Sequence, residues 1–349
     1  MDKKTDNISS RERSEETRRP KLPELLTVTP SPHIKTPTST ASIMFDVILA
    51  LIPAFVWGVY VFGVRALAVA AVSVAACVGF EAAAQLLLHR PISIGDLSAA
   101  VTGLLLAMNL PVTVPLWMPV VGAFFAIVVV KQLFGGIGSN FVNPALSARV
   151  FLLSWASEMT GFTADGERVT SLAVTLSESD IVATATPLAS LKAGELPTET
   201  IFDMLLGNHG GCIGEVSSLL LLAGGIFLLI QRDITWHTPV AYIGTVAVLT
   251  FLFPQHGGMP VEFMLYELLS GGLMLGAFFM ATDYATTPVM PMGRIIFGVG
   301  CGLITVLIRY FGTYPEGVSF SILVMNLLVW YIDRATMPAR FGGKSDERK

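Results

Sequence analysis

Residues 44–64 read MFDVILALIPAFVWGVYVFGV, an almost unbroken apolar stretch with a single acid. After one arginine, residues 66–88 continue as ALAVAAVSVAACVGFEAAAQLLL. A helix needs about 20 apolar residues to cross the roughly 30 Å hydrocarbon layer of a bilayer. Both stretches have that length, so the sequence predicts two successive membrane-spanning helices.

The composition extends this prediction to the whole chain. Of the 349 residues 53% are hydrophobic and only 14% are charged, and the mean hydropathy is +0.66. Soluble domains have roughly 25% charged residues, so one water-soluble globule would leave too much apolar surface exposed. This excludes a soluble enzyme, a fibrous or disordered chain and a nucleic-acid-binding protein. We therefore predict an all-α integral membrane protein.

The cysteines and histidines do not form a metal-binding pattern. Cys77, Cys212 and Cys301 are far apart, and the five histidines are scattered along the chain. Iron–sulfur clusters typically need four thiolates, and structural zinc needs four close cysteine or histidine ligands. Any redox chemistry on this chain is therefore expected to use an organic cofactor.

About ten stretches are apolar enough to span, or partly span, a membrane. The third, fifth, seventh and tenth are short or interrupted by proline and glycine, which favours half-helices buried inside the protein. The first 42 residues are polar and lack a signal-peptide core, so the first span is expected to act as the insertion signal. In chain order the stretches are 44–64, 66–88, 96–110, 114–134, 141–156, 217–231, 238–254, 264–281, 292–311 and 318–333.

A long polar segment separates the fifth stretch from the sixth. Residues 157–210 carry eight acidic residues against two basic ones. With both termini in the cytoplasm, 16 of the 22 lysines and arginines lie on the cytoplasmic side, which agrees with the positive-inside rule. The acidic segment is therefore expected to face the exterior.

The two halves on either side of this segment are similar to each other. DLSAAVTGLLLAMNLPVTVP precedes a long helix ending in FGGIGSN, and ELLSGGLMLGAFFMATDYATTP precedes one ending in FGTYPEG, at an offset of 177 residues from Phe134 to Phe311. Five spans per copy would invert the second copy and leave a central cavity between broken helices. Chance similarity of glycine-rich apolar helices is the alternative. The predicted divisions are a cytoplasmic tail 1–42, a first five-helix repeat 43–156, an external segment 157–216, a second repeat 217–333 and a cytoplasmic tail 334–349.

Several blocks of the sequence are specific enough to indicate a family. With them the chain resembles the D subunits of Rnf complexes, a family homologous to the B subunits of the sodium-pumping NADH:quinone reductases, from about residue 30 to residue 342. The family fold is similar to that of urea transporters, which agrees with two inverted five-helix repeats. The blocks are SPHIKTPTSTASIMFDVILALIPA (31–54), GGIGSNFVNPALSARVFLL (135–153), ATATPL (183–188), GCIGEVSSLLLLAGG (211–225) and FFMATDYATTPVMPMGRIIFGVGCGLITVLIRYFGTYPEGVSFSILVMN (278–326).

The resemblance implies a covalently bound flavin. In that family a threonine in a motif like S/T-G-A-T-P-L is esterified by the phosphate of FMN, and the matching residue here is Thr186. Ala183 and Thr184 depart from the motif, so Thr184 is the alternative attachment site to test. Without the resemblance, a threonine-rich turn before a proline is usually only a turn. A phosphoester near the membrane surface would tether the flavin at a fixed depth.

Three polar residues near the middle of the chain are further cofactor-binding candidates. Asn143 opens a helix in FVNPALSARVFLL (141–153), where free amides could face a ligand or where the residue simply caps the helix. Arg149 is an intramembrane cation that needs a partner, either a flavin phosphate or a carboxylate. Glu215 in GCIGEVSS opens the sixth helix, where capping through the helix dipole is the other interpretation.

Thr282 and Asp283 end the eighth helix near the cytoplasmic side, before a proline-rich turn. They are candidates for a second, noncovalent flavin such as riboflavin, or for a cation, although turn formation also explains an aspartate there. Glu81 lies late in the second helix and is expected to reach the membrane interface.

The function implied by the resemblance is that of a membrane flavoprotein subunit. Its complex couples electron transfer between ferredoxin and NAD to sodium or proton translocation across a bacterial or archaeal inner membrane. The sequence contains no nucleotide fingerprint and no cysteine cluster. This absence agrees with what the resemblance implies, namely that partner subunits (A, B, C, E and G) handle ferredoxin and NAD and that this chain has no complete active site. The alternatives are a solute channel or transporter without redox function and a purely structural scaffold.

Overall fold

The computed structural model describes residues 38–162, 186–197, 199–207, 209–215, 217–255 and 259–338. All regular secondary structure in these ranges is helical. The helices are α1 (Thr40–Phe62), α2 (Val64–Leu87), α3 (Ser98–Met108), α4 (Trp117–Phe124), α5 (Pro144–Leu152), α6 (Ala156–Met159), α7 (Pro187–Ala193), α8 (Ile201–Leu206), α9 (Ser218–Gln231), α10 (His237–Leu252), α11 (Pro260–Leu269), α12 (Leu273–Leu275), α13 (Pro291–Phe311) and α14 (Val318–Thr336).

Two of these helices change their winding. α4 continues as a π-helix over Phe125–Gln132, and α12 continues as a π-helix over Gly276–Met280. Short 3₁₀ turns lie at Ile94–Asp96 and Leu153–Trp155. Helical segments therefore lie in all ten of the predicted apolar stretches.

Four of the described helices, α1, α2, α13 and α14, are long and apolar enough to cross a membrane. α14 lies in the tenth stretch and is uninterrupted over 19 residues, so the expectation of a half-helix there is wrong. α11 and α12 with its π-helix also qualify together, as a pair bent by 65° that we call the bent span (Pro260–Met280). The apolar helices α3, α4, α9 and α10 are shorter. These helices confirm the predicted membrane-protein character of the chain.

Local sequence explains where several helices begin. Proline occupies the first turn of α5, α7, α11 and α13, where its missing N–H leaves no hydrogen bond unmade. α3 ends at Met108, after only 11 residues. The loop that follows is held by the buried Arg65. Its Nε donates to the carbonyl of Val112 at 2.9 Å, and its Nη2 donates to the carbonyl of Val114 at 3.0 Å. The guanidinium thus satisfies carbonyls that no helix satisfies.

Helices at corresponding positions of the two halves make corresponding contacts. α2 packs against α3 and α4, as α10 packs against α11 and α13. α4 contacts α5, as α13 contacts α14. Between the halves, α1 contacts α9 and α5 contacts α14. The α1–α9 contact needs a glycine, because a Cβ on Gly224 would lie 2.4 Å from the carbonyl oxygen of Ala50.

Candidate functional site

Thr186 is the N-cap residue of α7. Its backbone is extended, and its Oγ1 accepts a hydrogen bond from the backbone N–H of Ala189 at 3.3 Å. Pro187 follows at the first helical position, and the threonine itself is half-buried. An ester oxygen accepts a hydrogen bond as a hydroxyl oxygen does, so a phosphoester on Oγ1 is compatible with this cap.

A small apolar cluster attaches α7 and α8 to the start of the bent span. Lys192 adds a polar contact, because its Nζ donates to the carbonyl of Gly312, and partial burial lowers the pKa of this ammonium group. Thr186 is therefore carried by a segment packed on α11. The cluster consists of Leu191, Met204, Phe263, Tyr266 and Leu269.

The break between α11 and α12 lies against α7. Gly271 has φ +67°, a conformation that favours glycine, and a Cβ there would lie 3.2 Å from Cδ2 of Leu188 and 3.1 Å from Nη2 of Arg309. Arg309 pairs with Glu267 at 2.7 Å and donates from Nη2 to the carbonyl of Ser270 at 3.1 Å. The arginine thus satisfies backbone carbonyls at the end of α11 and fixes the bend.

A cavity of about 510 Å³ lies at the other end of the bent span. Asn143, Thr282 and Asp283, three of the predicted site residues, line it. Its wall also includes the aromatic rings of Phe278 and Phe279.

The polar side chains of this wall are held by local hydrogen bonds. Oδ1 of Asn143 accepts from the backbone N–H groups of Ala145 and Leu146 at 3.0 and 3.2 Å, so Asn143 caps α5 as one of the two interpretations predicts. Its Nδ2 donates to the carbonyl of Met280 at 3.3 Å. Thr282 Oγ1 donates to the carbonyl of Phe278 at 2.6 Å. Asp283 accepts from Oγ1 of Thr286 at 3.2 Å, which is the predicted turn.

Lys131, which the sequence analysis did not single out, also lines the cavity. Its Nζ lies 2.7 Å from Oε1 of Glu81 and donates to Oγ of Ser98 at 2.6 Å. Glu81 is only 1% exposed, so the expectation that it reaches the interface is wrong. An intramembrane lysine needs a partner, and this rule applied to the fourth stretch would have pointed to such a pair.

Arg149 has a carboxylate as its partner. Its Nη2 bonds Oε2 of Glu316, and its Nη1 donates to Oδ1 of Asn109 at 3.0 Å and to Oγ of Ser319 at 3.1 Å. Nη2 also lies 4.0 Å from Oε1 of Glu215. Sequence analysis missed Glu316 because it lies in the loop before α14.

Glu215 does not cap α9. The N-cap is Ser217, whose side chain accepts from the backbone N–H of Leu220. Glu215 lies two residues earlier and turns inward, where Oε2 accepts from the backbone N–H of Cys212 at 3.2 Å. The capping interpretation is therefore wrong, because the loop directs this carboxylate toward Arg149.

The structure sorts the predicted residues into three groups. Asn143, Thr282 and Asp283 share the cavity, Arg149 and Glu215 lie together, and Thr186 lies apart on α7.

Residues 27–342 match the model of the NQR2, RnfD, RnfE family. The D subunit of the Na(+)-translocating ferredoxin:NAD(+) oxidoreductase complex of Acetobacterium woodii is 50% identical over 321 residues, which cover 91% of this chain and 95% of the relative. The D subunit of the proton-translocating ferredoxin:NAD(+) oxidoreductase complex of Clostridium ljungdahlii is 41% identical, over 91% of this chain and 96% of the relative. The D subunit of the ion-translocating oxidoreductase complex of Stutzerimonas stutzeri is 39% identical, over 87% of this chain and 93% of the relative.

These matches confirm the resemblance that the sequence blocks indicate. The matched regions cover nearly the full length of this chain and of each relative, and they include all the helices described above. The chain belongs to the NQR2, RnfD, RnfE family.

Proposed function

We propose that this chain is the D subunit of an Rnf-type complex that couples electron transfer between ferredoxin and NAD to sodium or proton translocation. The observation that carries the proposal is the 50% identity, over 91% of the chain, to the Acetobacterium woodii protein whose complex is named for that activity. The complex of the Clostridium ljungdahlii relative is named for protons instead, so both ions remain in the proposal. A solute channel without redox function finds no support in these names.

The proposed partners are the A, B, C, E and G subunits of the complex, together with the surrounding lipid. Ferredoxin and NAD would bind to those subunits. The sequence supports this division, because it has no dinucleotide fingerprint, and its three cysteines are free, buried and far apart in the chain.

The proposed cofactor is FMN joined through its phosphate to Thr186. When bound, the flavin supplies the electron transfer, and the chain supplies position. Three features support this site: Thr186 is only half-buried, the hydrogen bond of its Oγ1 is compatible with an ester, and α7 is packed on the bent span.

A second, noncovalent flavin such as riboflavin is proposed for the cavity. Its volume of about 510 Å³ falls within the roughly 300–1,000 Å³ that is typical of small-molecule pockets. Phe278 and Phe279 offer apolar contact for a ring system, while Asn143, Thr282 and Asp283 offer polar groups.

The proposed architecture is ten spans in two inverted five-helix repeats, like that of urea transporters. The corresponding helix contacts in the two halves support it. The charge distribution supports cytoplasmic termini and an external segment 157–216. The proposed location is the inner membrane. Reporter fusions after Glu178 should register as external and fusions at the C-terminus as cytoplasmic. If both fusions report the same side of the membrane, the chain between them crosses the membrane an even number of times, and the predicted five spans are wrong.

The flavoprotein proposal is tested on the complex purified from its own membranes. Thr186→Ala removes the oxygen that forms the ester, so flavin fluorescence of this chain on a denaturing gel should disappear. Thr200→Ala is the matched control, because Thr200 is likewise a threonine N-cap, of the neighbouring helix α8. Each change costs about 1 kcal/mol of helix capping. Fluorescence retained in Thr186→Ala would contradict the proposed attachment.

A further inference from the structure

A group of charged side chains, most of them buried, lies where the two halves of the molecule meet. The Nη2 atom of Arg149 contacts Glu316, lies 4.0 Å from Oε1 of Glu215 and lies 3.7 Å from the sulfur of Cys212. The ligand atoms of Cys212, Glu215 and Glu316 all lie within 4.8 Å of one another. We call Arg149, Glu215 and Glu316 the central cluster.

The central cluster has more negative than positive charge. It contains two carboxylates and one guanidinium, and Arg149 makes its close ion pair with Glu316. Oε2 of Glu215 accepts one backbone hydrogen bond, but Oε1 has no hydrogen-bond partner among the described residues. Glu215 is 5% exposed. A buried carboxylate without compensation is costly, so the cluster lacks one positive charge.

The other two buried glutamates of the described chain are compensated one to one. Glu81 lies 2.7 Å from the ammonium of Lys131, and Glu267 lies 2.7 Å from the guanidinium of Arg309. Glu215 instead shares its arginine with a second carboxylate. The surplus of negative charge is therefore particular to the central cluster among these three sites.

Two glycines allow the backbone to approach the carboxylate of Glu215 closely. A Cβ on Gly272 would lie 3.3 Å from Oε1 of Glu215, and a Cβ on Gly211 would lie 3.0 Å from Oε2. Gly272 belongs to the break in the bent span, and Gly211 belongs to the irregular segment before α9. Unwound backbone between half-helices is where transport proteins place cation ligands.

Solvent reaches the cluster from the side of Glu316. The side chain of Glu316 is 20% exposed, whereas those of Arg149 and Glu215 are each 5% exposed. Glu316 lies in the loop between α13 and α14, which also carries Gly312, the partner of Lys192 on α7. The cluster therefore opens on the side of the molecule where α7 is attached.

We propose that Glu215 and Glu316 bind one sodium ion beside the fixed charge of Arg149. Hard cations of this size are bound by oxygen ligands at about 2.4 Å, and two oxygens within 4.8 Å of each other can share one such ion. The sulfur of Cys212 is a poor ligand for a hard cation. One sodium ion brings two carboxylates and one guanidinium to neutrality. The role of this ion in transport rests on the proposed function, but its binding does not.

The test counts sodium ions bound per complex with radioactive sodium at equilibrium, without turnover. Glu215→Gln keeps the shape and removes the charge, so it should bind one ion fewer than the wild type. Glu195→Gln is the matched control, because Glu195 is an exposed glutamate of the external segment. It should bind the wild-type number. If Glu215→Gln does not assemble, Glu316→Gln is used instead, and it should also lose one ion.

Failure of the cation site is distinguishable from failure of the proposed function. An assembled Glu215→Gln or Glu316→Gln complex that binds the wild-type number of sodium ions overturns the cation site, including the case in which the cluster holds only a proton. Covalent flavin is measured on the same samples. A wild-type chain without flavin would contradict the proposed cofactor, whatever the sodium count shows.

Discussion

The two ends of the bent span differ in the surroundings they provide for the proposed flavins. At its start, α7 carries Thr186, a half-buried threonine on a short helix held by a small apolar cluster. Beyond its end lies the cavity of about 510 Å³ with Asn143 and Asp283 in its wall. A covalent bond holds a cofactor where few residues surround it, whereas a cavity lined on several sides can bind a ring system by contacts. This difference is the reason for proposing a covalent flavin at the first end and a noncovalent one at the second.

The largest expected effect comes from the break that joins the two ends. Arg149 reaches this break from α5, since a Cβ on Gly272 would lie 3.9 Å from its Nη1 atom. Arg149→Leu leaves the carboxylates of Glu215 and Glu316 without a guanidinium, and removal of one partner from a buried pair costs about 3–5 kcal/mol. We expect a lower thermal unfolding temperature of the complex and lower contents of both flavins.

Arg334→Leu provides the control for this change, because Arg334 is an exposed arginine at the end of α14. Lysine at position 149 is not a neutral exchange, since an ammonium does not reproduce the several hydrogen bonds of the guanidinium. If the Arg149→Leu complex keeps the unfolding temperature and flavin content of the wild type, the charge of Arg149 is not needed and the prediction is wrong.

A change confined to the start of the bent span should affect only the covalent flavin. Leu191 is 1% exposed and belongs to the cluster that holds α7 on α11. Leu191→Ala should cost about 2–5 kcal/mol in the docking of this segment and lower gel fluorescence. Leu196→Ala, at a leucine that is 47% exposed, is the control. Equal losses of covalent and noncovalent flavin in Leu191→Ala would argue against independent ends.

A change confined to the cavity should lower the content of noncovalent flavin and leave the covalent flavin unchanged. Val101 is 8% exposed and lines the cavity from α3. Val101→Trp fills part of this volume, so flavin released by denaturation should fall while gel fluorescence stays constant. Val120→Trp, the control, places the same ring on a valine of α4 that is 36% exposed. Noncovalent flavin at the wild-type level in Val101→Trp would place that flavin elsewhere.

The positions of the helices could be predicted from the sequence because apolar length is a local property. A helical segment lies in each predicted stretch, including the short fifth one, where Asn143 and a proline mark the start of α5. The bend at residues 270–272 was not predicted, because Gly271 is explained by Arg309 and Leu188, which approach from other helices.

The partners of the buried charged residues could not be predicted from local sequence, because they lie far away in the chain. Arg149 was expected to need a partner, yet Glu316 lies 167 residues away in the chain. Glu81 was assigned to the interface because it lies late in its helix, whereas Lys131 reaches it from the π-helix that continues α4. The attachment at Thr186 came from the family resemblance, since the local structure of this threonine is that of an ordinary helix cap.

The most direct test of the flavin proposal is the mass of one tryptic peptide from the purified wild-type complex. Cleavage after Arg168 and Lys192 releases residues 169–192, which contain both Thr184 and Thr186. We predict that this peptide carries the added mass of FMN, and that its C-terminal fragment 186–192 carries it while fragment 187–192 does not. FMN mass absent from fragment 186–192 but present on the fragment that begins at Thr184 would move the attachment by two residues. A peptide without any flavin mass would contradict covalent attachment at either threonine.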